Sequence, residues 1–482
     1  MKGGNNLKKE KNNKVIVTNI FSREKSYSKI FVNFKEDKEI KHKIILGKIK
    51  PNINFLIGNL IRYNNTILIF IFILIITLSI QKISNNLIQY RYSNITLKVR
   101  GNGTKKIFSS DIRFKSTYYP DKIYINEVLK STVKYSYYLN PEVNNIQLIW
   151  NNRVNSCFLM FYECSDIIEV DLSEFDSSEV ISMGCMFEGC SKLISLNLSS
   201  LNTSKVDNMG TMFKGCESLI SLNLSNFDTS SVLYLDNMFN GCSKLTSLNL
   251  SNFNTSQVLK MNDMFKSCSK LKSLSLDNFD TSSVVIMDEM FLDCTSLASL
   301  NISNFNTSNV ISMGHMFEGC SSLISLNLSK FDTSKVTNMG TMFQDCSSLI
   351  SLDLSSFEIS SVLYLDNMFN GCSKLISLNL SNFNTSQASN MENMFYGCKG
   401  LKYLNMKNFE ENNFAKINNM FDHIPDNVLV CINENNTKLL SKLNNKNCYI
   451  IDCSDDIQLK ENIICNQTSI CIDTTNNPIQ YK

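Results

Sequence analysis

A pattern with a 26-residue period runs through the middle of this 482-residue chain and constrains its fold more than any other feature. One copy begins at Met316 and reads MFEGCSSLISLNLSKFDTSKV. A cysteine marks the same place in ten successive copies, at positions 164, 190, 216, 242, 268, 294, 320, 346, 372 and 398. A fixed period of this length is typical of a solenoid, in which each repeat packs only against its neighbours.

The two halves of each repeat have different apolar periods. In the sequence LISLNLS, Leu326 and Leu328 alternate with polar residues, which indicates a β-strand. From Val336 to Leu349 the apolar residues are spaced by three and four, which is typical of a helix. Between the halves, Asp332 and its neighbours supply turn and N-cap chemistry. We therefore predict an α/β solenoid with one short strand and one short helix in each 26-residue unit.

These repeats resemble those of the BspA-like leucine-rich repeat surface proteins, whose 26-residue units have the form MFxGCxxLxxLxLSxFDTSxVxxM. The resemblance covers residues 158 to about 421. It implies a right-handed leucine-rich repeat solenoid, display on the cell surface, and a role in adhesion or attachment. It implies no particular ligand. In place of the bacterial secretion signals that are frequent in that family, this chain has an internal apolar segment.

A second period, five repeats long, is superimposed on the first. Residues 183–200 return with few changes at 313–330, and the sequence VLYLDNMF begins at both 232 and 362. The array is therefore interpreted as a duplicated block of five repeats. Solenoids tolerate such copying because each unit touches only its neighbours.

An apolar segment lies upstream of the repeats. Residues 63–81 contain no charged side chain, and the addition of residues from Leu60 makes the segment long enough to cross a bilayer as a helix. A buried strand and a signal-peptide core are the alternatives. The long basic leader and the lack of a small-residue cleavage site argue against a signal peptide. We predict a single transmembrane helix at residues 60–81.

The charge distribution favours a cytoplasmic N-terminus. Residues 1–62 hold 15 Lys and Arg against 5 Asp and Glu, whereas the rest of the chain holds 32 against 39. Close to the apolar segment the charges nearly balance, so the positive-inside rule does not decide the orientation alone. The cysteine-rich tail favours an oxidising exterior. We expect a single-pass protein of the plasma membrane or cell surface, without a nucleic-acid partner, because the anchor accounts for the basic leader.

The predicted parts are a basic, disordered cytoplasmic segment at 1–59, the anchor at 60–81, a small β-rich cap at 82–157, the solenoid at 158–424 and a cysteine-rich segment at 425–482. In the cap, the residues around Gly101-Asn102-Gly103 predict a β-hairpin. In the tail, the irregular cysteine spacing suggests disulfides, with Cys157 or Cys185 as a sixth partner unless one thiol stays free. The five candidates are Cys431, Cys448, Cys453, Cys465 and Cys471.

Two ladders of side chains suggest metal or redox chemistry but have simpler interpretations. The repeat cysteines should lie about 5 Å apart, yet thiols spaced evenly along an axis cannot form a tetrahedral site. We predict that they are buried, reduced core residues. The corner position alternates between Asp and Asn, as at Asn306 and Asp332; an Asx turn accepts both, whereas a calcium site loses charge at each Asn. We expect no metal and no cofactor.

Catalytic residues are not suggested by any motif. The chain has only three histidines, His42, His315 and His423, and none belongs to a Ser-His-Asp grouping or another spacing that catalysis requires. We therefore expect that the protein is not an enzyme.

The outward positions of the predicted strands form a repetitive polar face. Such a surface suits weak multivalent contacts. The pattern changes at Ser275 and Asp277, with Lys272 nearby, and again at Tyr403, where an aromatic ring adds contact area or the array simply ends. The candidate ligand-binding residues are Ser195, Asn197, Ser221, Asn223, Ser247, Asn249, Ser325, Asn327, Ser377, Asn379, Tyr403 and Asn405.

Asn-x-Ser/Thr sequons are frequent, mostly as by-products of the repeat. They could carry glycans if the protein follows a eukaryotic secretory route. A glycan on a strand asparagine would exclude ligand binding at the same residue. The candidate glycosylation sites are Asn94, Asn102, Asn202, Asn254, Asn306, Asn384 and Asn466.

We expect a membrane-anchored surface protein that mediates adhesion, or recognition of proteins or glycans on another surface, through the Ser/Asn face. Two alternatives stay open. The array could be a structural coat or spacer without a specific ligand, or it could act inside the cell as a scaffold.

Overall fold

The computed structural model describes residues 93–410, 415–433 and 435–443, together with the backbone of three later two-residue strands. The chain divides into two units, Met1–Arg91 and Tyr92–Lys482, and the described residues belong to the second. The predicted cytoplasmic segment 1–59 and the predicted anchor 60–81 lie outside the described residues. Within the described part, no helix is long and apolar enough to cross a membrane.

Short strands provide most of the regular secondary structure. The helical elements in the described ranges are a 3-10 turn at Ser116–Tyr118 and one α-helix, α1, at Thr437–Leu443. The strands are β1 (Ser93–Arg100), β2 (Gly103–Lys106), β3 (Lys122–Ile125), β4 (Val128–Leu129), β5 (Ser136–Leu139), β6 (Val143–Trp150), β7 (Ile167–Asp171), β8 (Ser195–Asn197), β9 (Ser273–Ser275), β10 (Ser299–Asn301), β11 (Ser377–Asn379), β12 (Tyr403–Met406), β13 (Leu429–Ile432), β14 (Tyr449–Ile450), β15 (Ile464–Cys465) and β16 (Cys471–Ile472).

The strands before the repeats form a sheet that is continuous with the first coil. β1 lies between β6 and β7 and pairs antiparallel with both, while β7 pairs in parallel with β8. The alternate side chains of β1 that face the core, Ile95, Leu97 and Val99, are fully buried. An antiparallel strand therefore covers the first edge of the parallel array, which would otherwise offer unpaired backbone groups to another chain.

The hairpin predicted around Gly101-Asn102-Gly103 is wrong. β2 does not pair with β1 but joins β5 in a separate two-stranded sheet. Gly101 and Gly103, with φ of 148° and 91°, do turn the chain, but both backbone edges of β1 are already paired, one with β6 and the other with β7. Trp150 is buried in this region, where its Nε1 donates to the Tyr118 carbonyl at 2.9 Å.

The repeats form a β-solenoid with one coil per 26-residue unit. Where adjacent strands are long enough to be assigned, residues pair with those one repeat away, as in Leu274 with Leu300 and Leu378 with Leu404. A second line of parallel bridges links successive coils through residues such as Ser312, Asn338 and Tyr364. The sequence period is thus the coil period, and identical positions stack along the axis.

The short helix predicted in each repeat is not present; consecutive turns occupy its place. In the coil that begins at Met313, the amides of Met316, Glu318 and Cys320 bond to carbonyls three residues earlier. The intervening amides of Met313, His315, Phe317 and Gly319 instead bond to carbonyls of the next coil, at distances of 2.8–3.0 Å. An α-helix would use all of these amides within the segment. The spacing of three and four that indicated a helix is therefore produced by linked turns.

Left-handed residues are the reason that these turns do not continue as a helix. Each coil has one residue with φ between 52° and 62° at the position of His315, and most coils have a second left-handed residue at the position of Gly319. Glycine, asparagine and aspartate predominate at the two positions, as expected for this conformation. Gly319 has φ of 72°, and a Cβ there would approach Asp293 Oδ1 at 2.5 Å.

The core is a set of ladders that run along the axis. A stack of phenylalanine rings extends from Phe161 to Phe421, with centroids of adjacent rings 5.5–5.9 Å apart. The methionines Met313 and Met316, and their equivalents, are fully buried beside it. A shorter second stack, as at Phe305 and Phe331, lines the corner after the strand.

The parallel sheet continues past the last regular repeat. β11, β12, β13 and β14 form one four-stranded parallel sheet. All four residues of β13 are buried, and α1 contributes Leu439 and Leu443 to the core. The 26-residue spacing persists from Tyr403 to Leu429, although the sequence motif has ended.

Candidate functional site

The Ser/Asn face lies on the outside of the strand side of each coil. Its serines and asparagines are exposed in every regular repeat that was predicted to carry them, while the leucine before each outward asparagine points inward or is partly covered. Ser299 and Asn301 pair in register with Ser273 and Ser275 of the preceding coil. Residues that recognise a ligand would therefore recur once per coil, about 4.8 Å apart. The exposed members are Ser195, Asn197, Ser221, Asn223, Ser247, Asn249, Ser325, Asn327, Ser377 and Asn379.

The asparagines of this face also stabilise the backbone. The side-chain oxygen of Asn327 accepts a hydrogen bond from the amide of Ser329 at 3.1 Å, and the same bond occurs at Asn223, Asn249 and Asn379. This Asx turn begins the bend that follows each outward asparagine. The oxygen of each amide is thus already engaged, which leaves the serine hydroxyls and the asparagine Nδ2 groups as the principal groups for an external acceptor.

The end of the face differs from the sequence prediction. Tyr403 is half-buried, and Asn405 is only 4% exposed, because β13 pairs with this strand and covers it. Asn405 therefore has almost no accessible surface for contact with a partner, and its Oδ1 accepts a hydrogen bond from the amide of Lys407 at 3.1 Å. The prediction of Asn405 as an exposed ligand-binding residue is therefore wrong.

The corner residues after each strand form Asx turns that link successive coils. Asp280 Oδ1 accepts from the amide and the hydroxyl of Ser282, at 3.0 and 2.6 Å, and these bonds lower the pKa of the carboxyl below its ordinary value. Asn254 makes the same two contacts with Ser256. The neighbouring Thr255 is buried and donates to the Asp280 carbonyl at 2.8 Å. Because Asp and Asn make the same hydrogen bonds here, the residue at the corner position stabilises a turn.

The predicted glycosylation sites occupy these corners and the cap. Asn202, Asn254 and Asn306 are exposed, and Asn384 is half-exposed, but each side-chain oxygen accepts the amide of the residue two positions later. In the cap, Asn102 is exposed, whereas Asn94 donates to Glu174 at 3.0 Å and its Oδ1 is buried. Asn466 lies outside the described residues.

The repeat cysteines are buried thiols, as predicted, and they have a hydrogen-bonding role that the sequence did not indicate. The thiol of Cys320 donates to the Phe291 carbonyl of the preceding coil at 3.3 Å, and the other ladder cysteines from Cys190 to Cys398 make the equivalent contact. Burial raises the pKa of these thiols, to about 12 at Cys190 and Cys294. They are therefore unreactive in the folded chain.

The tail cysteines are only partly within the described residues. Cys431 is buried in β13 and is disulfide-bonded. Cys448 and Cys453 lie outside the described residues. The backbones of Cys465 and Cys471 are directly opposite each other in the antiparallel pair β15 and β16. The other candidates for a sixth partner, Cys157 and Cys185, are free thiols.

Sequence reasoning missed a stripe of exposed aliphatic residues beside the Ser/Asn face. Five isoleucines occupy the position immediately before the outward serine and are 42–53% exposed. Backbone bonds join three of them to the previous coil, from Ile194 to Ile168, from Ile350 to Ile324 and from Ile376 to Ile350. The available signal in the sequence was the isoleucine that directly precedes the outward serine in these five repeats. The five are Ile194, Ile220, Ile324, Ile350 and Ile376.

The same corner carries lysines that sequence reasoning noted only at Lys272. Six lysines on two pairs of adjacent coils are exposed, and none forms an ion pair with a described carboxylate within 4.0 Å. The five-repeat period was the available signal, because it relates Lys244 to Lys374 and Lys272 to Lys402. We call this set the lysine corner: Lys244, Lys270, Lys272, Lys374, Lys399 and Lys402.

Comparison with known proteins places the chain in a family. No curated protein matches it significantly. The family described as "Mycoplasma protein of unknown function, DUF285" matches at residues 155–273, 234–326 and 323–428. These matches together span more than half of the chain and coincide with the coils of the solenoid. The chain belongs to this family of repeat proteins.

Proposed function

We propose that this chain is a membrane-anchored surface protein whose Ser/Asn face binds a repetitive partner, a protein or a glycan, on another surface. The observation that carries the proposal is the alignment of exposed serine hydroxyls and asparagine amides along the axis. One contact of this kind is weak, but contacts repeated on one rigid body combine through their effective concentration.

Two further features support this function. The repeats resemble those of the BspA-like leucine-rich repeat surface proteins, which implies adhesion. The apolar sequence at residues 60–81 and the basic leader before it are typical of a single-pass anchor with its N-terminus in the cytoplasm. On this proposal the repeats lie outside the cell.

A charge-insertion experiment tests the face. Ser247, Ser325 and Ser377 are exposed on three coils, and no described side chain is hydrogen-bonded to their hydroxyls. The full-length variant S247E/S325E/S377E, carried on beads, should lose most of its attachment to cell monolayers and extracellular matrix. The control Q257E/S361E/Q387E adds the same charge at exposed positions of another corner and should attach normally. Equal attachment of both variants would refute recognition by this face.

A structural coat or spacer is the second candidate, and the Asx turns favour it. The side-chain oxygens of Asn223, Asn249, Asn327 and Asn379 already bond to the backbone, so the asparagines have a structural reason to recur. If the array only sets distance, deletion of residues 183–312 should shorten the protein without reducing attachment.

The scaffold alternative differs in location. Treatment of intact cells with an impermeant protease should cleave the solenoid if the repeats are outside. Protection of the repeats until the cells are permeabilised would favour an intracellular scaffold and overturn the proposed function.

A further inference from the structure

We infer that the lysine corner is a binding site for a linear polyanionic glycan, one that carries sulfate esters or carboxylates along its length. This inference deepens the proposed function and rests on it for the polar face beside the corner. It names the charge class of the ligand and the residues that would select it.

The stacking of coils brings the lysines into two clusters. The hydroxyl of Ser269 donates to the Ser243 carbonyl at 3.3 Å, so Lys244 and Lys270, which follow these serines, lie side by side on adjacent coils. Lys272 is on the same coil as Lys270 and directly precedes the outward Ser273. We call these three residues the first lysine cluster.

A second cluster lies five coils later, where Lys374 and Lys402 correspond to Lys244 and Lys272, and Gly400 stands at the position of Lys270. Lys374 follows Ser373, and Lys399 occupies the position one repeat after Ser373. The amide of Lys402 bonds to the Ile376 carbonyl of the adjacent coil at 2.7 Å, which places Lys402 beside that coil. With about 4.8 Å per coil, the two clusters are separated by about 24 Å along the axis.

The charges of both clusters are available to a ligand. By contrast, Lys192 and Lys205, on other described coils, pair with Asp166 and Glu179 at 2.6 and 2.9 Å. By repeat position, Glu217 lies one coil before the first cluster and Asp426 lies one coil after the second. Lysines left unpaired at neighbouring positions repel one another, and this cost is relieved when an anion binds between them.

The surroundings of the clusters favour a glycan over other polyanions. Ser247 and Asn249 lie on the coil of Lys244, and Ser377 and Asn379 lie on the coil of Lys374. Hydroxyl and amide groups can bond to sugar hydroxyls. The first cluster has no exposed aromatic ring on its two coils for stacking of bases, which single-stranded nucleic acids require. A chain that binds both clusters gains avidity from the rigid spacing between them.

The test compares full-length variants on immobilised heparin at physiological salt. Variants K244Q/K270Q/K272Q and K374Q/K399Q/K402Q should each bind about 10-fold more weakly, from three lost charge contacts. The six-residue variant should lose about 100-fold or more. The control K260Q/K330Q/K335Q removes three exposed lysines elsewhere and should bind as the unaltered chain does. The basic leader is common to all five proteins, so its contribution to heparin binding is the same in each comparison.

Additional probes separate the ligand classes. Hyaluronan carries carboxylates alone, whereas heparin also carries sulfate esters, so the two probes show which anion the lysines bind. Loss of binding to either glycan in the six-residue variant supports the inference. Equal heparin and hyaluronan binding by the six-residue variant and the control overturns it. Loss of binding only to vesicles of phosphatidylcholine and phosphatidylserine would instead assign the corner to an anionic membrane and also overturn it. Because cell attachment is measured separately with S247E/S325E/S377E, failure here leaves the proposed function standing.

Discussion

The thiol of Cys320 donates a hydrogen bond to the backbone carbonyl of Phe291, 3.3 Å away in the preceding coil. That carbonyl already accepts the amide of Cys294 at 3.1 Å. Cysteine therefore fills a small buried space and also joins two coils through a weak donor. Alanine would fill most of the space but could not donate.

Replacement of Cys320 by alanine should lower the free energy of unfolding by about 1–2 kcal/mol, from the lost bond and a small cavity. Urea unfolding followed by circular dichroism measures the change. In the same protein, the ladder thiols should resist a thiol reagent at pH 8 until urea unfolds the chain, because burial raises their pKa. Rapid labelling of the folded protein at these positions would contradict the description of the ladder as buried core.

Removal of one ring from the phenylalanine stack should destabilise the protein more in the middle of the array than at its end. Phe317 lies between Phe291 and Phe343, with centroids at 5.6 and 5.5 Å. Phe317→Ala should cost about 3–5 kcal/mol. Phe421→Ala, at the last ring of the described stack, should cost less, because only Phe395 packs against it there.

Hydrogen exchange measures which coils lose stability in the Phe317→Ala variant. Since coils contact only their neighbours, Phe317→Ala should reduce protection mainly in the coils around residues 291–343. A uniform loss of protection from the cap to residue 432 would show instead that the array unfolds as one cooperative unit.

A change at a left-handed position should stabilise the protein. Thr341 has φ of 56°, which is unfavourable for a β-branched side chain, while Asn367 occupies the equivalent position in the next coil with the same φ. Thr341→Asn should raise the free energy of unfolding by about 0.5–1 kcal/mol. The reverse substitution, Asn367→Thr, is the matched control and should destabilise by a similar amount. Stabilisation by both would contradict this explanation.

The corner turns predict a specific dependence on pH. The side-chain and backbone bonds from Ser282 lower the pKa of Asp280 in the folded chain. Its stabilising contribution is therefore present above the ordinary carboxyl pKa and is lost as the pH falls through the lowered value. Asp280→Asn should be nearly neutral at pH 7, because Asn254 makes the same turn, and Asp280→Ala should cost about 1 kcal/mol.

Urea unfolding at pH 7 and pH 2.5 separates these effects. The difference in stability between the unaltered protein and Asp280→Asn should shift in favour of the Asn variant at the lower pH. A difference that does not change with pH would show that the Asp280 carboxylate makes no favoured contact in the folded state.

The inward and outward positions of the alternating half were predictable because their information is local. Alternation places Leu326 and Leu328 inward whatever their neighbours do, and the fixed period implies that identical positions stack. The strand predicted for each unit is assigned in some described repeats, as at β8, β9, β10 and β11, and is not assigned at residues 323–328. The polar face followed from the same alternation. The burial of Asn405 was not predictable, since it depends on pairing with residues from Leu429 onward, which do not share the repeat motif.

The turn half was mispredicted because two different structures share one apolar spacing. Met313, Met316 and Phe317 lie on a common buried side both in a helix and in a series of linked turns. The distinction lies in the residues between them. Glycine at 319 and asparagine at 237, 367 and 393 favour left-handed backbone at regular intervals, which a helix cannot accommodate. The helix prediction used the apolar residues alone and did not use these residues between them.

The hydrogen bonds that join one coil to the next recur in the same form along the array, as from the amide of Met313 to the carbonyl of Asn338 and from the amide of Phe317 to the carbonyl of Met342. Gain or loss of one whole repeat in frame therefore leaves every remaining amide with an equivalent acceptor. The gene can consequently lengthen or shorten by recombination between copies while the protein keeps its two ends, its core and its surface chemistry. The distance between the first coil and the last can therefore change under selection in steps of about 4.8 Å.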